Sequence, residues 1–596
     1  MSNYVAPLAD IWLVLRDLAE IEEIIRLPGL EAGGTDTIAS MLTEAAKFAD
    51  EVLEPLNRSG DMEGAEWKNG QVRMPAGFRA AYEAFAANGW ASLGCEPEFG
   101  GMAAPRVVVA AVREIWHSAN MAFSLGPVLS ADATEVLSLC ASAEIKHRFL
   151  PRMVSGEWTG TMNLTEPQAG SDLAAIRTRA ELQADGTYRI TGQKIFITYG
   201  EHDMAANIVH LVLARLPDAP AGTKGISMFV VPKFLVNADG TLGVRNDVTC
   251  TSIEHKLGIH ASPTCVMSFG EHGGATGYLV GEANRGLEYM FILMNEARLV
   301  AGIQGLAVAE RAYQQARAYA SERVQGRDIA GSKTPVRILQ HPDVRRMLMT
   351  MKCQIEAMRA LAYFVAAAHD RADRHPDPKV RERNAAVVGL LTPVVKGWCA
   401  ETGIEVASTG IQIHGGTGYV EETGAAQYLR DVRITAIYEG TTGIQANDLM
   451  SRKIAHEGGA MLGLIEEVRA TARRMLEAGD EDLIAIAAPL QKGVSALDTA
   501  VAHVLENFNA DPRRTAVGAV PLLKLSALVV GGWLMARAAE TATQRLRNGS
   551  PDSAALDAKR ATARFFADHL LSQAPGLAHT VINGAGRLME LTDAQW

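Results

Sequence analysis

Basic charge is in short supply: 57 Lys+Arg stand against 68 Asp+Glu in 596 residues, a formal net charge of −11. That balance does not provide the broad positive surface that holds nucleic acid or an anionic membrane. Cysteine is also sparse. The six (Cys95, Cys140, Cys250, Cys265, Cys353, Cys399) form no Cys-x-x-Cys pair. This argues against a disulfide framework or a zinc site, so no metal is expected, and for reduced thiols in a cytoplasmic protein. No apolar run is long. Leu525 to Ala536 lies between Lys524 and Arg537, short of the roughly 20 residues of a bilayer span, and reads as a buried core helix. Met1 to Leu18 lacks a basic stretch and is interrupted by Asp10, and Asp593-Ala594-Gln595-Trp596 matches no peroxisomal or lipid-attachment signal. There is no G-x-x-x-x-G-K-[ST] loop, no H-E-x-x-H and no G-x-S-x-G elbow. Gly584-Ala585-Gly586 lacks the third glycine of a dinucleotide fingerprint, and Gly415-Gly416-Thr417-Gly418 lies between helical patterns instead of after a strand. Both features argue against a Rossmann dehydrogenase.

What is present divides into four stretches, within the three to five domains such a length allows. Residues 1–160 carry apolar residues at helical spacing in Ser40 to Leu56, Phe78 to Ala87 and Val107 to Ser118, with a Gly- and Pro-rich loop from Gly94 to Pro105. Residues 161–280 change to alternating runs. Thr178 to Leu182 and Tyr188 to Ile190 flank Ala184-Asp185-Gly186-Thr187 as a hairpin, Ile208 to Leu213 and Ile226 to Val231 follow, and Asp239-Gly240 marks a further turn. From 281 to 456 the period returns to 3.6: Leu299 to Arg323, Val344 to Arg371, Arg381 to Ser408 and Thr442 to His456 predict an antiparallel four-helix bundle. Residues 461–596 are again helical, and their 14 basic and 15 acidic residues nearly cancel. The fold class is α+β.

One string stands out: Thr165-Glu166-Pro167-Gln168-Ala169-Gly170-Ser171-Asp172, a tight turn whose hydroxyls and free N–H groups suit phosphate or flavin oxygens. Alone it reads as a capped, solvated turn. It is followed in order by Lys194-Ile195-Phe196-Ile197-Thr198, Glu322-Arg323, Gln412-Ile413-His414-Gly415-Gly416 and Tyr438-Glu439-Gly440-Thr441. Together these resemble the acyl-CoA dehydrogenase family over residues 40–456, each string in the domain type that family requires. The longer N-terminus and the helices after 460 resemble its large bacterial branch of about 600 residues, which includes 3-methylmercaptopropionyl-CoA and broad-specificity fatty acyl-CoA dehydrogenases. The resemblance implies an N-terminal helical domain, a middle β-barrel-like domain, a C-terminal four-helix bundle and an extra C-terminal helical domain.

The reaction so implied removes two hydrogens from the carbons beside a thioester. It needs a base for the α-proton, an acceptor for the β-hydride and stabilisation of the enolate-like oxygen. No side chain accepts a hydride reversibly, so FAD is implied. By resemblance the base is Glu439. Ile434, Ala436, Ile437 and Tyr438 surround it in sequence and should raise its pKa by desolvation. Glu296 is the runner-up, although Ala297 rather than Glu296 directly precedes Arg298. The Glu439 amide would hold the thioester oxygen together with a ribityl hydroxyl, and Gly440 would leave space for substrate. Met162, Leu164 and Thr165 would lie beside the isoalloxazine ring, with Phe196 and Thr198 on its other side. Met162 and Leu164 also read as plain core. Arg323, and Gln412 with Gly416 from a paired subunit, would hold pyrophosphate and adenosine, and Thr441 would face the cofactor. Ser171 would contact the pantetheine, Arg298 the CoA nucleotide, and Tyr438 the acyl cavity.

The chain departs from the family pattern at Gly443, in a stretch after Arg323 one residue shorter, and in a longer 217–255 segment. The expected partners are an acyl-CoA, an electron-transfer flavoprotein and a second copy of the chain. A dimer is preferred, on the expectation that the extra domain covers the surface by which smaller relatives form tetramers. The competing readings are an oxidase returning electrons to O₂, a catalytically silent assembly subunit, and a nucleic-acid-binding flavoprotein of the same fold. The near-neutral 461–596 segment speaks against the last.

Overall fold

The computed structural model describes residues 4–30 and 33–596. The chain forms two compact units. One comprises residues 44–104 and 115–297; the other comprises residues 1–43, 105–114 and 298–596, as far as they are described.

Eight helices dominate the first 160 residues: α1 (Leu8–Asp17), α2 (Ile21–Ile24), α3 (Thr35–Phe48), α4 (Pro55–Glu63), α5 (Phe78–Ala87), α6 (Arg106–Ala119), α7 (Met121–Cys140) and α8 (Ala143–Val154). The helical reading of this stretch missed a hairpin, β1 (Glu66–Lys68) with β2 (Gln71–Arg73). Its signal was present. Asn69 and Gly70 both take positive φ, +51° and +79°, as the turn that matches strand twist requires.

The β segment contains β3 (Trp158–Asn163), β4 (Arg179–Leu182), β5 (Tyr188–Thr198), β6 (Asn207–Arg215), β7 (Ile226–Pro232), β8 (Phe234–Val236), β9 (Leu242–Arg245), β10 (Val248–Ile253), β11 (Thr264–Phe269) and β12 (Ala275–Leu279). Strands β4, β5, β12, β7 and β6 pair in a closed ring, because β4 bonds both β5 and β6. This is the barrel-like middle domain. Both expected Asp-Gly turns form, and each is followed by Thr for the same reason: the Asp185 carboxylate accepts from the Thr187 N–H (2.9 Å) and Oγ1 (2.7 Å). Asp239 accepts likewise from Thr241. Strands β6 and β7 are buried on both faces, as barrel strands covered from outside must be, whereas β5 keeps exposed positions along its length. Trp158, Phe149, Leu211, Val230 and Met290 belong to the core of this unit.

The remaining helices are α9 (Gly286–Glu322), α10 (Pro342–Arg374), α11 (Pro378–His414), α12 (Ala425–Val432), α13 (Thr442–Asn447), α14 (Gly459–Leu476), α15 (Glu481–Asn507), α16 (Pro512–Ala516), α17 (Ala519–Arg547), α18 (Ser553–His569) and α19 (Ala574–Asn583). Asp448–His456 continues α13 as π-helix. Helices α10 and α11 begin earlier than the apolar periodicity predicts. Pro342 and Pro378 sit in their first turns, where a missing N–H costs nothing, and Asp377 caps α11 by accepting from the Lys379 N–H at 2.9 Å. Glycines let α9 and α11 approach backbone to backbone. A methyl group on Gly305 would lie 2.3 Å from the Cys399 carbonyl oxygen, and one on Gly403 would lie 2.7 Å from that of Gly305. Gly302 meets Val395, so the two helices run parallel, as alternate members of an up-and-down bundle do. Helix α17 contains the apolar run noted above, buried as expected. Yet α9 and α17 are both long and apolar enough to cross a bilayer by length and composition; 76% and 83% of those stretches are buried inside the protein.

A buried ionic network ties the ends of this unit's sequence to its bundle. Arg359, 1% exposed, donates to Glu114 (2.6 Å), Glu310 (2.8 Å) and Asp10. Lys559 on α18 donates to Glu356 (2.7 Å) and to the same Asp10. The Tyr363 hydroxyl donates to Glu114 at 2.6 Å.

Candidate active site

The sequence-predicted residues fall in both units. In the β unit the two conspicuous strings are stitched together. The Lys194 ammonium, wholly buried, donates to the Leu164 carbonyl (3.0 Å) and to Glu166 Oε1 (2.8 Å). The Ile195 N–H donates to the Thr165 carbonyl at 2.9 Å. Glu166 also accepts from Thr178 Oγ1 (2.6 Å), the Thr178 N–H (3.1 Å), the Arg177 N–H (2.7 Å) and Gln168 (2.6 Å). Sequence reasoning assigned neither Glu166 nor Lys194 a task; their task is to hold this loop against β5. Lys194 and these hydrogen bonds, outweighing burial, hold the Glu166 carboxyl down at about 2. A folded-state pKa depressed below the usual 4.5 contributes stability above that value, lost as the pH falls towards 2. Acid titration of the wild type should therefore show melting in that window. Glu166→Gln should lower stability at pH 7 by about 3 kcal/mol, the usual cost of leaving one partner of a buried pair alone; circular dichroism during urea titration measures both.

A bulge next to this loop sets Phe196. Cys265 pairs with Ile197 and Met267 with Lys194, so Ile195 and Phe196 together oppose Val266. Phe196 takes the left-handed φ of +59°, and its ring is 59% exposed. An aromatic ring held outward by a strained backbone is a platform for a flat ligand. Met162, Leu164, Thr165 and Thr198 are half-buried and Ser171 is exposed. Met162 and Leu164 also pack on the β-unit core, in keeping with the reading of them as core.

In the helical unit, Glu439 sits on a turn between the Arg433–Ala436 helical turn and α13. Glu439 and Gly440 are consecutive left-handed residues, with φ of +54° and +83°. Gln445 holds that turn, its amide donating to the carbonyls of Glu439 (3.2 Å) and Gly440 (3.3 Å). A side chain on Gly440 would meet this amide at 2.7 Å. Gly440, expected to leave space for substrate, makes room for the Gln445 amide and supplies the positive φ. The Glu439 N–H has no hydrogen-bond acceptor among the described residues, and its carboxyl is half-buried. Burial pushes that carboxyl above the usual range, with Lys396 and Arg298 pulling the other way.

The other predicted residues are placed as follows. Tyr438 donates its hydroxyl to Gln304 of α9. Thr441 caps α13, its Oγ1 accepting from the Ile444 N–H at 3.3 Å, so its oxygen serves the helix while its hydroxyl hydrogen stays available to a ligand. Arg298, predicted to reach a CoA nucleotide, is 8% exposed, and its charge is felt by Asp448 and Glu439. Arg323, Gln412 and Gly416 are exposed, and a methyl on Gly416 would meet nothing within 4 Å. Glu296 is buried on α9. Gln445 and Lys396 were missed. Lys396 is visible in sequence as a lone charge in the apolar run Leu390 to Cys399; nothing local marks Gln445.

Comparison with known proteins settles the family. Models described as acyl-CoA dehydrogenase N-terminal, middle and C-terminal domains match residues 35–157, 161–271 and 284–454, and an acetyl-CoA dehydrogenase C-terminal-like model matches 464–592. The chain belongs to the acyl-CoA dehydrogenase family. It is 46% identical over 570 residues, 96% of each chain, to a 3-methylmercaptopropionyl-CoA dehydrogenase of Ruegeria pomeroyi. It is 34% identical over 611 residues, spanning both chains, to a broad-specificity linear acyl-CoA dehydrogenase of Mycobacterium tuberculosis. Its fold matches an acyl-CoA dehydrogenase from Bacillus anthracis complexed with FAD, with a TM-score of 0.75 at 19% identity over 95% of this chain and 92% of that one. As an acyl-CoA dehydrogenase it is an oxidoreductase, and the α+β fold with a fourth, C-terminal helical domain is the one expected.

Proposed function

We propose that this acyl-CoA dehydrogenase converts an acyl-CoA to its trans-2-enoyl-CoA, with Glu439 as the base that takes the α-proton. The observation that carries the reading is the Glu439 turn: a half-buried carboxyl adjoins its own uncommitted N–H, on a backbone fixed by Gln445. The N–H is available to the thioester oxygen, where it would stabilise the charge that builds as the proton leaves. The carboxylate must be ionised to act, and burial raises its pKa, so kcat/KM should fall as the pH drops through a value above the ordinary 4.5.

The cofactor is FAD, as in the Bacillus anthracis relative, and the residues fit it: Phe196 offers an exposed ring face, and Thr165 and Thr198 lie on the stitched strings beside it. When bound, FAD supplies the acceptor for the two electrons and the β-hydrogen. Met162, Leu164, Thr165, Phe196 and Thr198 would hold its ring, and Arg323, Gln412 and Gly416 its pyrophosphate and adenosine, the last two reaching a paired subunit from their exposed positions. We assign an electron-transfer flavoprotein as acceptor and a homodimer as the assembly; a light-scattering mass of four chains would overturn the latter.

The substrate reading follows the relatives: 3-methylmercaptopropionyl-CoA first, straight-chain acyl-CoAs second. Anaerobic bleaching of the yellow protein with a panel of these thioesters tests it. The expected result is fastest bleaching by 3-methylmercaptopropionyl-CoA. Equal rates along a straight-chain series would move the assignment to a fatty acyl-CoA, and rapid recolouring by O₂ would indicate an oxidase.

A further inference from the structure

Helix α11 carries a lysine with no visible occupation. Lys396 is 0% exposed, and its ammonium has no hydrogen-bond partner among the described residues. A buried, unpartnered cation is costly, and where one is kept a nearby site usually uses its charge. Five residues along the helix, Glu401 accepts from Thr442 Oγ1 at 2.7 Å. Thr442 opens α13 immediately after the Glu439-Gly440-Thr441 turn. This stretch of α11 is therefore fastened to the segment that bears the base.

We propose that Lys396 is a positioning residue for the reaction: its buried ammonium is the counter-charge that keeps the Glu439 carboxylate ionised and ready to take the α-proton. The proposal rests on the reading of Glu439 as the base. The charges around that carboxyl come from three elements. Arg298 faces it from α9, and its own charge is met by Asp448 and Arg452 of the π-helix after α13; Lys396 faces it from α11 and also feels Glu401. Arg298 also favours the Glu439 carboxylate, but less than Lys396 does, and its own charge is drawn first by Asp448. Burial lowers the Lys396 ammonium to about 8 although Glu439 and Glu401 pull it up, so the charge is present at neutral pH and lost in mild alkali.

The test is flavin bleaching by acyl-CoA in anaerobic stopped flow from pH 6 to 9.5, with wild type, Lys396→Met, Lys396→Arg and Glu439→Gln, all as flavin-loaded protein. Lys396→Met is expected to bind acyl-CoA normally and to have its acid limb moved up by about one pH unit, so that it bleaches up to about tenfold more slowly on that limb. Above about 8 the two profiles should converge, because the wild-type ammonium is then neutral as well. Lys396→Arg should restore the wild-type limb. A structural lysine predicts instead a lower melting temperature and an unmoved limb, and that result would overturn the proposal. If the Met variant takes up no flavin, Lys396→Gln is read in the same assay, and failure of both to load overturns it too. Bleaching by Glu439→Gln at the wild-type rate would remove the base itself, whereas an unmoved Lys396→Met limb beside an inert Glu439→Gln removes only the lysine's role.

Discussion

Glu439→Gln is expected to remain yellow, to bind acyl-CoA as the wild type does, and to bleach about 10²–10⁴-fold more slowly. The substitution keeps volume and leaves the backbone alone. The left-handed turn and the uncommitted N–H belong to the main chain, and the Gln445 amide clamps main-chain carbonyls, so thioester binding should survive. What disappears is the carboxylate proposed to take the α-proton. Burial holds that carboxyl above the usual range even beside Lys396 and Arg298, so its ionisation penalises the fold and the neutral amide should cost no stability through charge. The signature sought is an unchanged dissociation constant with a collapsed rate, read from absorbance titration and stopped flow on one preparation. Parallel losses in affinity and rate would mean that the turn, not the carboxyl, had been damaged.

Arg359→Met should be the most destabilising single substitution in the helical unit, by about 3–5 kcal/mol at pH 7. The guanidinium is 1% exposed and stands among Glu114, Glu310 and Asp10. Without it Glu114 and Glu310 lose its charge while keeping the neutral Tyr363 hydroxyl and Gln314 amide, and Asp10 keeps Lys559. Glu114 is already pushed above the usual range by burial, even beside Arg359. In the variant the stranded carboxylates have raised folded-state pKa values, so ionisation penalises the fold. The deficit should be fully developed near neutrality and shrink as the pH falls towards the ordinary carboxylate value of about 4.5. Adding Glu114→Gln should recover part of the loss. Urea unfolding at pH 7 and pH 5 measures each point, and a deficit independent of pH would show that packing rather than charge had been lost.

How far the sequence reveals the molecule depends on whether a signal is local. The Asp-Gly-Thr turns, the strand-to-helix change and the order of motif strings are local patterns, and they lead to the fold and to Glu439 directly. The Asn69-Gly70 hairpin was equally local but was absorbed into a helical reading of its surroundings. Partnerships were not legible. Glu166 and Lys194 lie 28 residues apart, and Gln304 and Tyr438 lie 134 apart; no period or propensity links them. Gly440 is instructive for the opposite reason. Its residue type was rightly read as a need for space, but which neighbour uses that space depends on the return of Gln445 across the turn.

The fourth domain is no removable appendage. Lys559 neutralises Asp10 and Glu356, while Arg545 bonds Asp17 at 3.2 Å. Shortening the chain after residue 460 to imitate a small relative would strand acids in the remaining half. During synthesis Asp10 waits 549 positions for its lysine. A ribosome-bound nascent chain therefore holds Asp10 and Glu356 with Arg359 and Lys352 but without Lys559 until its last helices emerge, so this network closes only when synthesis is nearly complete.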